Sequence, residues 1–371
     1  MFEGVMVLLL AVEGFSYIFY DTMFIPMLFN KMGIQNVSHF STIFIQFYFF
    51  FVIIAEIAQS KSYLPWNLKK VHPSNIFIAS FLVLIAGGTL LLLLPKMTEM
   101  EGSMPFLDAL FTSTSASCVT GLIVVDTPAY FTFKGEIVLL LLMQLGGLNI
   151  VVFGIFIAIG SKMGLSFKQH EVIEDFVNKD APMGLNSMLG KVFLGTFLIE
   201  SIGALLLFFS WSPSIGAEST GDRVLQSVFH SVSAFMNAGF SLFTNSLAEE
   251  GVRNNHLVHI IMAALIFLGA LGFMALLDIF NFRNIKQKIK YPWKQYEFIT
   301  KLSLYVSVAL LLFGMVMFYI LEFDDQLTDK SFMSKLVHAL FQSVTTRTAG
   351  FNTIDIGALS IPTLILLIFL M

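Results

Sequence analysis

Phe341-Gln-Ser-Val-Thr-Thr-Arg-Thr-Ala-Gly350-Phe351-Asn352-Thr353 decides how this chain is read. It begins inside a short apolar patch, Phe332–Thr345, too brief to cross a membrane and too hydrophobic for a solvated connection. Two earlier stretches match it. Written from a shared Phe, they are Phe111-Thr-Ser-Thr-Ser-Ala-Ser-Cys-Val-Thr-Gly121 and Phe229-His-Ser-Val-Ser-Ala-Phe-Met-Asn-Ala-Gly239, each overlapping its own patch, Pro105–Cys118 and Val224–Met236. A Phe-x-Ser-(Thr/Val)-(Ser/Thr) core recurs, with glycine ten, ten and nine residues after the Phe. The glycines stand 118 and 111 residues apart, and each interval holds a long apolar run, a basic loop and another long apolar run. The unit is therefore helix, re-entrant segment, helix. Repetition at this scale implies copies packed about a pseudo-axis with corresponding pieces meeting at the centre.

The rest of the chain agrees with a bilayer setting. Of 371 residues 56% are hydrophobic and 12% charged, with 41 Phe and 19 Met, against roughly 25% charged in soluble domains. Mean hydropathy is +0.81. A net charge of −4 with no basic tail excludes a nucleic-acid-binding face. The single cysteine, Cys118, excludes an intrachain disulfide frame and any CxxC metal or redox motif.

A helix needs about 20 apolar residues to span the hydrocarbon core. Six runs qualify: Phe40–Ala58, Ile76–Leu94, Ile137–Ile159, Met188–Phe209, Leu257–Ile279 and Leu302–Leu321. A seventh candidate, Val5–Tyr20, is weakened by Glu13 and Asp21, and it lacks the positive region of a signal peptide. The final apolar run, Ile361–Met371, has eleven residues, too few to cross; we expect that the element continues beyond this sequence. Thirteen of the 21 cations fall in the loops at 61–72, 161–191 and 281–301, which places those loops in the cytoplasm. The alternate segments carry Glu99, Glu101, Glu218, Asp222, Glu249, Glu250, Glu322, Asp324, Asp325 and Asp329. An outer vestibule of this sign concentrates cations.

Irregular backbone at membrane depth is tolerated only where it lines a water-filled or ion-filled path. A short helix returning through an extended turn can aim carbonyl oxygens at such a path, where they replace a cation's hydration shell. Glycine admits the dihedrals and the close strand approach that this requires. The competing reading is that small-residue segments are ordinary helix-packing surfaces. For one segment the two weigh about equally; three copies in register favour a pore.

At these residues the sequence resembles the TrkH/KtrB/HKT superfamily of potassium transporters. Cys118-Val-Thr-Gly121-Leu122, Asn237-Ala-Gly239-Phe240-Ser241 and Arg347-Thr-Ala-Gly350-Phe351-Asn352-Thr353 are similar to its first three pore loops, over roughly Ser74 to Met371. The resemblance implies an all-α integral membrane fold of helix–pore-loop–helix units around a pseudo-fourfold axis, of which three pore loops are present, with an extra N-terminal hydrophobic hairpin. The expected organisation is a hairpin over 1–73, repeat one over 74–165, an amphipathic segment and repeat two over 166–290, and repeat three over 291–371. The family has a fourth repeat and a glycine-rich intramembrane gate in the second helix of repeat three; neither is found within this sequence. By resemblance, potassium is bound by the backbone at Val119, Thr120 and Gly121, at Asn237, Ala238 and Gly239, and at Thr348, Ala349 and Gly350. Glycine at the first of these loops, Gly121, goes with potassium rather than sodium preference. The resemblance further implies a homodimer, a cytoplasmic nucleotide-binding regulatory ring of the TrkA/KtrA type, location in the bacterial plasma membrane, and no covalent cofactor.

Other residues carry paired readings. Arg347, buried near membrane depth, either buttresses the third loop through carbonyl hydrogen bonds, as the resemblance implies, or snorkels to an acid such as Asp355. His230 and His338 can sense pH or simply cap and pack, and packing is favoured. His256 and His259 share a helix face but have no third metal ligand nearby in sequence. Asp108 can cap its helix or hold an outer cation. Glu56 and Asp278 lie near cytoplasmic span ends, whereas Glu200 is near mid-span and reads as an inter-helix hydrogen-bond site. Gly146-Gly147, beside Gln144 and Asn149, permits a bend or close packing. Ser166–Asp180 is amphipathic and suits a membrane surface or the regulatory ring, and Arg283–Lys294 is first a topology signal and second a partner or anionic-lipid site.

The expected function is gated, channel-like potassium uptake. An ion-coupled symporter, with Glu200 or a histidine carrying the driving proton, is the transport alternative. An intramembrane enzyme would need a clustered nucleophile and base or paired aspartates inside the spans, and no such arrangement is present.

Overall fold

The computed structural model describes residues 73–99, 103–160, 185–212, 219–280, 296–323, 325–328 and 330–371. The chain divides into two units, 1–71 and 72–371, and all described residues belong to the second. The runs Val5–Tyr20 and Phe40–Ala58, Glu56, the segment Ser166–Asp180, the basic run Arg283–Lys294 and most of the loop lysines lie outside the described residues.

Among the described residues the regular structure is helical, apart from one isolated antiparallel bridge, Thr98 to Phe131. Three successive units follow the same order, a long first helix, a short helix leading into a loop, and a further helix. In the first, α1 (Pro73–Leu92), α2 (Phe106–Ser117) and α3 (Phe133–Gly160) pack on one another. The second unit comprises α4 (Leu185–Ser210), α5 (Thr220–Phe235), α6 (His256–Ala270) and α7 (Phe273–Ile279). The third comprises α8 (Phe298–Leu321), α9 (Phe332–Thr348) and α10 (Ile361–Leu370). The short apolar patches of the sequence are thus the helices α2, α5 and α9. Units join in a constant way: α3 packs on α5 of the next unit, and α6 packs on α9.

Among the described residues, three helices, α3, α4 and α8, contain stretches long and apolar enough to cross a membrane, Phe133–Val151, Gly190–Ser210 and Thr300–Leu321. Two expected spans differ: in place of Ile76–Leu94, α1 offers the shorter apolar stretch Phe77–Leu92. Leu257–Ile279 is broken at Leu271–Gly272, because Gly272 adopts φ +82°, a left-handed value that ends α6 and restarts the chain as α7. The Ser303 hydroxyl on α8 donates to the freed Leu271 carbonyl at 3.2 Å. By contrast α3 runs unbroken through Gly146-Gly147. Close packing explains this pair, since a Cβ at Gly146 would meet the Ser117 carbonyl oxygen and one at Gly147 the Met236 sulfur.

The helix starts are written locally. Ser219 caps α5 in a capping box, its Oγ accepting from Asp222 N while Asp222 Oδ2 accepts from Ser219 N at 2.9 Å. Asn255 joins two ends, accepting from Val258 N at the start of α6 and donating to Ser210 O at the end of α4, 2.6 Å away. The Phe-x-Ser repeat has a tertiary purpose. Ser113, Ser231 and Ser343 donate through Oγ to Ile85 O, Glu200 O and Leu311 O of the preceding long helix, at 2.8, 2.7 and 2.7 Å. Three residues beyond each acceptor lies a glycine, Gly88, Gly203 or Gly314, whose missing Cβ is what lets the serine and a leucine of the unit's third helix (Leu142, Leu265 or Leu370) close against it. Each unit is keyed by the same serine–glycine–leucine wedge.

Candidate functional site

The loops that follow α2, α5 and α9 are the candidate site, and the wedges fix each of these short helices to the helix before it. Each short helix presents its C-terminal end, the negative pole of its dipole, to the loop that follows. The first loop turns back under its helix by two hydrogen bonds, Val119 N to Ala116 O (3.2 Å) and Thr120 N to Ser115 O (2.8 Å). The second repeats the pattern with Asn237 N to Ala234 O (3.1 Å) and Ala238 N to Ser233 O (2.8 Å). Val119 and Asn237 take φ of +57° and +59°, and Gly121 and Gly239 take +78° and +75°. In the third loop Gly350 N bonds Thr345 O at 3.1 Å and Gly350 alone is left-handed, at +81°, because this loop is one residue shorter. The shortening is the nine-residue spacing seen in the sequence.

With their N–H groups turned inward, the loops leave their carbonyls free. Among the described residues, the carbonyl oxygens of Val119, Thr120, Gly121, Asn237, Ala238, Gly239, Ala349 and Gly350 accept no hydrogen bond. The loops also touch. A Cβ on Gly121 would lie 2.5 Å from Ala238 O and 3.2 Å from Gly239 Cα, and one on Gly239 would meet Ala349 O. Thr348 bridges the second and third loops, its Oγ1 donating to Asn237 Oδ1 at 2.8 Å, and Thr244 Oγ1 donates to Asp126 Oδ2 at 2.9 Å between the first and second units. Of the nine residues expected at the site, these contacts bring Gly121, Asn237, Ala238, Gly239, Thr348 and Ala349 together, and Val119, Thr120 and Gly350 adjoin them in the chain. Ala238 and Ala349 are buried, whereas Thr120, Thr348 and Gly350 are exposed.

Behind the loops the second and third copies are braced alike. Ser233 Oγ donates to Phe240 O and Thr345 Oγ1 to Phe351 O, at 2.7 and 2.8 Å, tying the residue after the glycine to the helix. The counterpart in the first copy, Ser115, has no partner for its buried hydroxyl, and Thr112 and Ser117 share that condition. His230 is fully buried, with Nδ1 against Gln226 O (2.7 Å) and Nε2 against Ser241 Oγ (3.0 Å), and its ring stacks on Phe243. A carbonyl only accepts, so Nδ1 carries the proton and Nε2 accepts; His230 is a packing residue that braces the second loop. His338 Nδ1 meets Thr353 Oγ1 at 2.9 Å in the third.

Arg347 anchors the third copy through a carbonyl of the flanking helix and not through an acid. Its guanidinium donates to Ser307 O (2.9 Å) and Ser307 Oγ (3.1 Å) on α8, not to the loop carbonyls or to Asp355, and so it fixes the end of α9 to the flanking long helix. His338 also adds what the sequence concealed about His256 and His259: its ring lies 6.4 and 5.2 Å from theirs. Even so, among the described residues no group of three His, Cys, Asp or Glu is arranged to hold a metal. Asp108 sits in the first turn of α2, where a carboxylate favours the helix dipole, without a side-chain cap bond. Asp278 Oδ2 accepts from Glu297 N at 2.9 Å, at the start of α8. Glu200 pairs with Gln144 across helices α4 and α3.

Comparison with known proteins adds an independent line. The TrkH family, described as cation transport protein, matches residues 39–371. The potassium/sodium uptake protein NtpJ of Enterococcus hirae is 33% identical over 304 residues, covering 82% of this chain and 64% of that protein. The Ktr system potassium uptake protein B of Vibrio alginolyticus is 34% identical over 303 residues, 80% of this chain and 63% of its own length. The protein of the same name from Bacillus subtilis is 33% identical over 317 residues, 84% and 67% of the two chains. This chain thus spans under two thirds of the length of the first two relatives. Among solved structures, the potassium transporter TrkH of Vibrio parahaemolyticus superposes with a TM-score of 0.62 at 16% identity, covering 98% of this chain and 68% of that one, a likeness of fold.

Proposed function

The chain belongs to the TrkH family of cation transport proteins, and from that premise we propose that it is a potassium-uptake subunit whose three loops form part of a filter of main-chain oxygens. The observation that carries this reading is the set of eight carbonyls, on three loops of which the second touches both others, that have no hydrogen-bond donor among the described residues. At membrane depth such oxygens are costly unless a cation occupies them. The helix C-termini behind them add negative potential of the same sense. Potassium binds at Val119–Gly121, Asn237–Gly239 and Thr348–Gly350, with the acid-bearing segments outside and the basic loops in the cytoplasm, in the plasma membrane. Names of the relatives, potassium uptake proteins and a potassium/sodium uptake protein, support the substrate class. Membership in a transport family also displaces the enzyme reading. A homodimer and a TrkA/KtrA-type cytoplasmic ring complete the proposed assembly.

Reconstitution into liposomes tests it. Gly121→Ser and Gly239→Ser place a side chain against Ala238 O and Ala349 O, so the preference for potassium over sodium should fall in both. Gly350→Ser meets nothing within 4 Å and suffers only the backbone strain of its positive φ, so its effect should be smaller. Unchanged selectivity in Gly121→Ser and Gly239→Ser would sink the filter.

A further inference from the structure

Glu200 stands near the middle of α4, in the stretch Gly190–Ser210 that is long and apolar enough to cross a membrane, and it is 5% exposed. Its Oε2 accepts one hydrogen bond, from Gln144 Nε2 on α3 at 3.0 Å. Its Oε1 has no partner, and neither has Oε1 of the same Gln144, although both atoms are buried. Thr196, one turn earlier on the same face of α4, is fully buried with an unpartnered hydroxyl. At the level of Glu200 the neighbouring elements present no charge: α5 contributes Ser231, which donates to the Glu200 carbonyl, and α6 contributes Leu265 against Gly203, while Asp222 and Arg223 of α5 and Asp278 of α7 lie elsewhere along those helices. No charged side chain among the described residues acts on the carboxyl.

An ionised carboxylate here would keep one neutral donor, Gln144 Nε2, and no partner on Oε1, which leaves a full charge unbalanced in a dry site. One added hydrogen resolves it. We infer that Glu200 binds and keeps a proton on Oε1, which it donates to Gln144 Oε1, so that acid and amide close a ring of two opposed hydrogen bonds and clasp α3 of the first unit to α4 of the second. The proton is taken from water as the helices assemble and is not handed on during transport. A sodium or potassium ion fits poorly, because three side-chain oxygens are too few to replace its water. The clasp does not depend on the potassium reading, since it concerns the joint between units rather than the loops.

Infrared spectroscopy of the full chain in lipid reads the bond directly. The wild type should show the C=O stretch of a protonated carboxyl at neutral pH, persisting into mildly alkaline buffer, and Glu200→Gln should lose that band while retaining thermal stability and cation uptake. Gln144→Leu removes the donor to the acid C=O, and should move the band to higher frequency. This second variant keeps the test decisive if Glu200→Gln does not fold. Identical wild-type and Glu200→Gln spectra in the protonated-carboxyl region overturn the proposal, as does a band that Gln144→Leu leaves in place. Net proton entry with potassium, abolished in a folded Glu200→Gln, overturns the claim that the proton stays. Wild-type protein with the band but without potassium flux would remove the transport reading and leave the clasp intact.

Discussion

Ser231 and Gly203 show how much one atom decides. The serine hydroxyl bonds Glu200 O at 2.7 Å only because Gly203 carries no side chain there. Ser231→Ala should cost about 1 kcal/mol, the net worth of a typical hydrogen bond, read from thermal unfolding of the purified protein. Gly203→Ala should cost more, roughly 1–3 kcal/mol, by overpacking. Combining the two should recover part of that loss, because the clashing oxygen is gone, so a double-mutant cycle yields a favourable coupling. Two independent, additive losses would show that the wedge is not the contact it is described as. His230 makes a second case. His230→Phe keeps the stacking on Phe243 but strips Ser241 and Gln226 of their partner, and should destabilise the protein by about 1–3 kcal/mol. The second loop loses its brace with it, so selectivity should decline along with stability. The serines were visible in the sequence as a repeat, but their partners were not. Gly88, Gly203 and Gly314 are three among 26 glycines, and their regular spacing of 115 and 111 residues stands out only when the serines fix the frame.

At the scale of elements, hydrophobic run length located α1, α3, α4 and α8 within a few residues, because each carries one continuous apolar stretch. Average hydropathy is blind to dihedral angles, and so Leu257–Ile279 read as one span although Gly272 divides it. The space beside Gly272 is open, with nothing within 4 Å of a built Cβ. Gly272→Ala therefore meets conformational strain alone, of about 1–2 kcal/mol. We expect a matching drop in melting temperature; an unchanged or raised value would mean that α6 and α7 can fuse into one straight helix without loss. The short helices were legible as patches too brief to span. Their mutual aim was not, since it depends on bonds such as Arg347 to Ser307 that join residues 40 positions apart. For the same reason His338 could not be placed beside His256 and His259 from spacing.

Across the whole described molecule, neighbouring units meet through equivalent positions. Thr348 and Asn237, which bridge the second and third loops, stand 111 residues apart, the spacing of the loop glycines, and Thr244 and Asp126 stand 118 apart. Thr348→Val should weaken the joint by roughly 0.5–1.5 kcal/mol and couple energetically to Asn237→Ala; strict additivity in the cycle would mean that the loops are set by their own units alone. That the three loops meet was foreseeable from internal repetition, whereas the mixed bracing behind them, with idle hydroxyls at Thr112, Ser115 and Ser117, was not. The serine–glycine–leucine wedges have a mechanical corollary. A helix turns by 100° per residue, so twisting or sliding a long helix by a single step would drive a bulky neighbour into the notch that the glycine leaves. The hairpins consequently resist torque and travel only as blocks together with their short helices, and pliancy is left to joints such as Gly272, where the backbone can swivel without unseating a key.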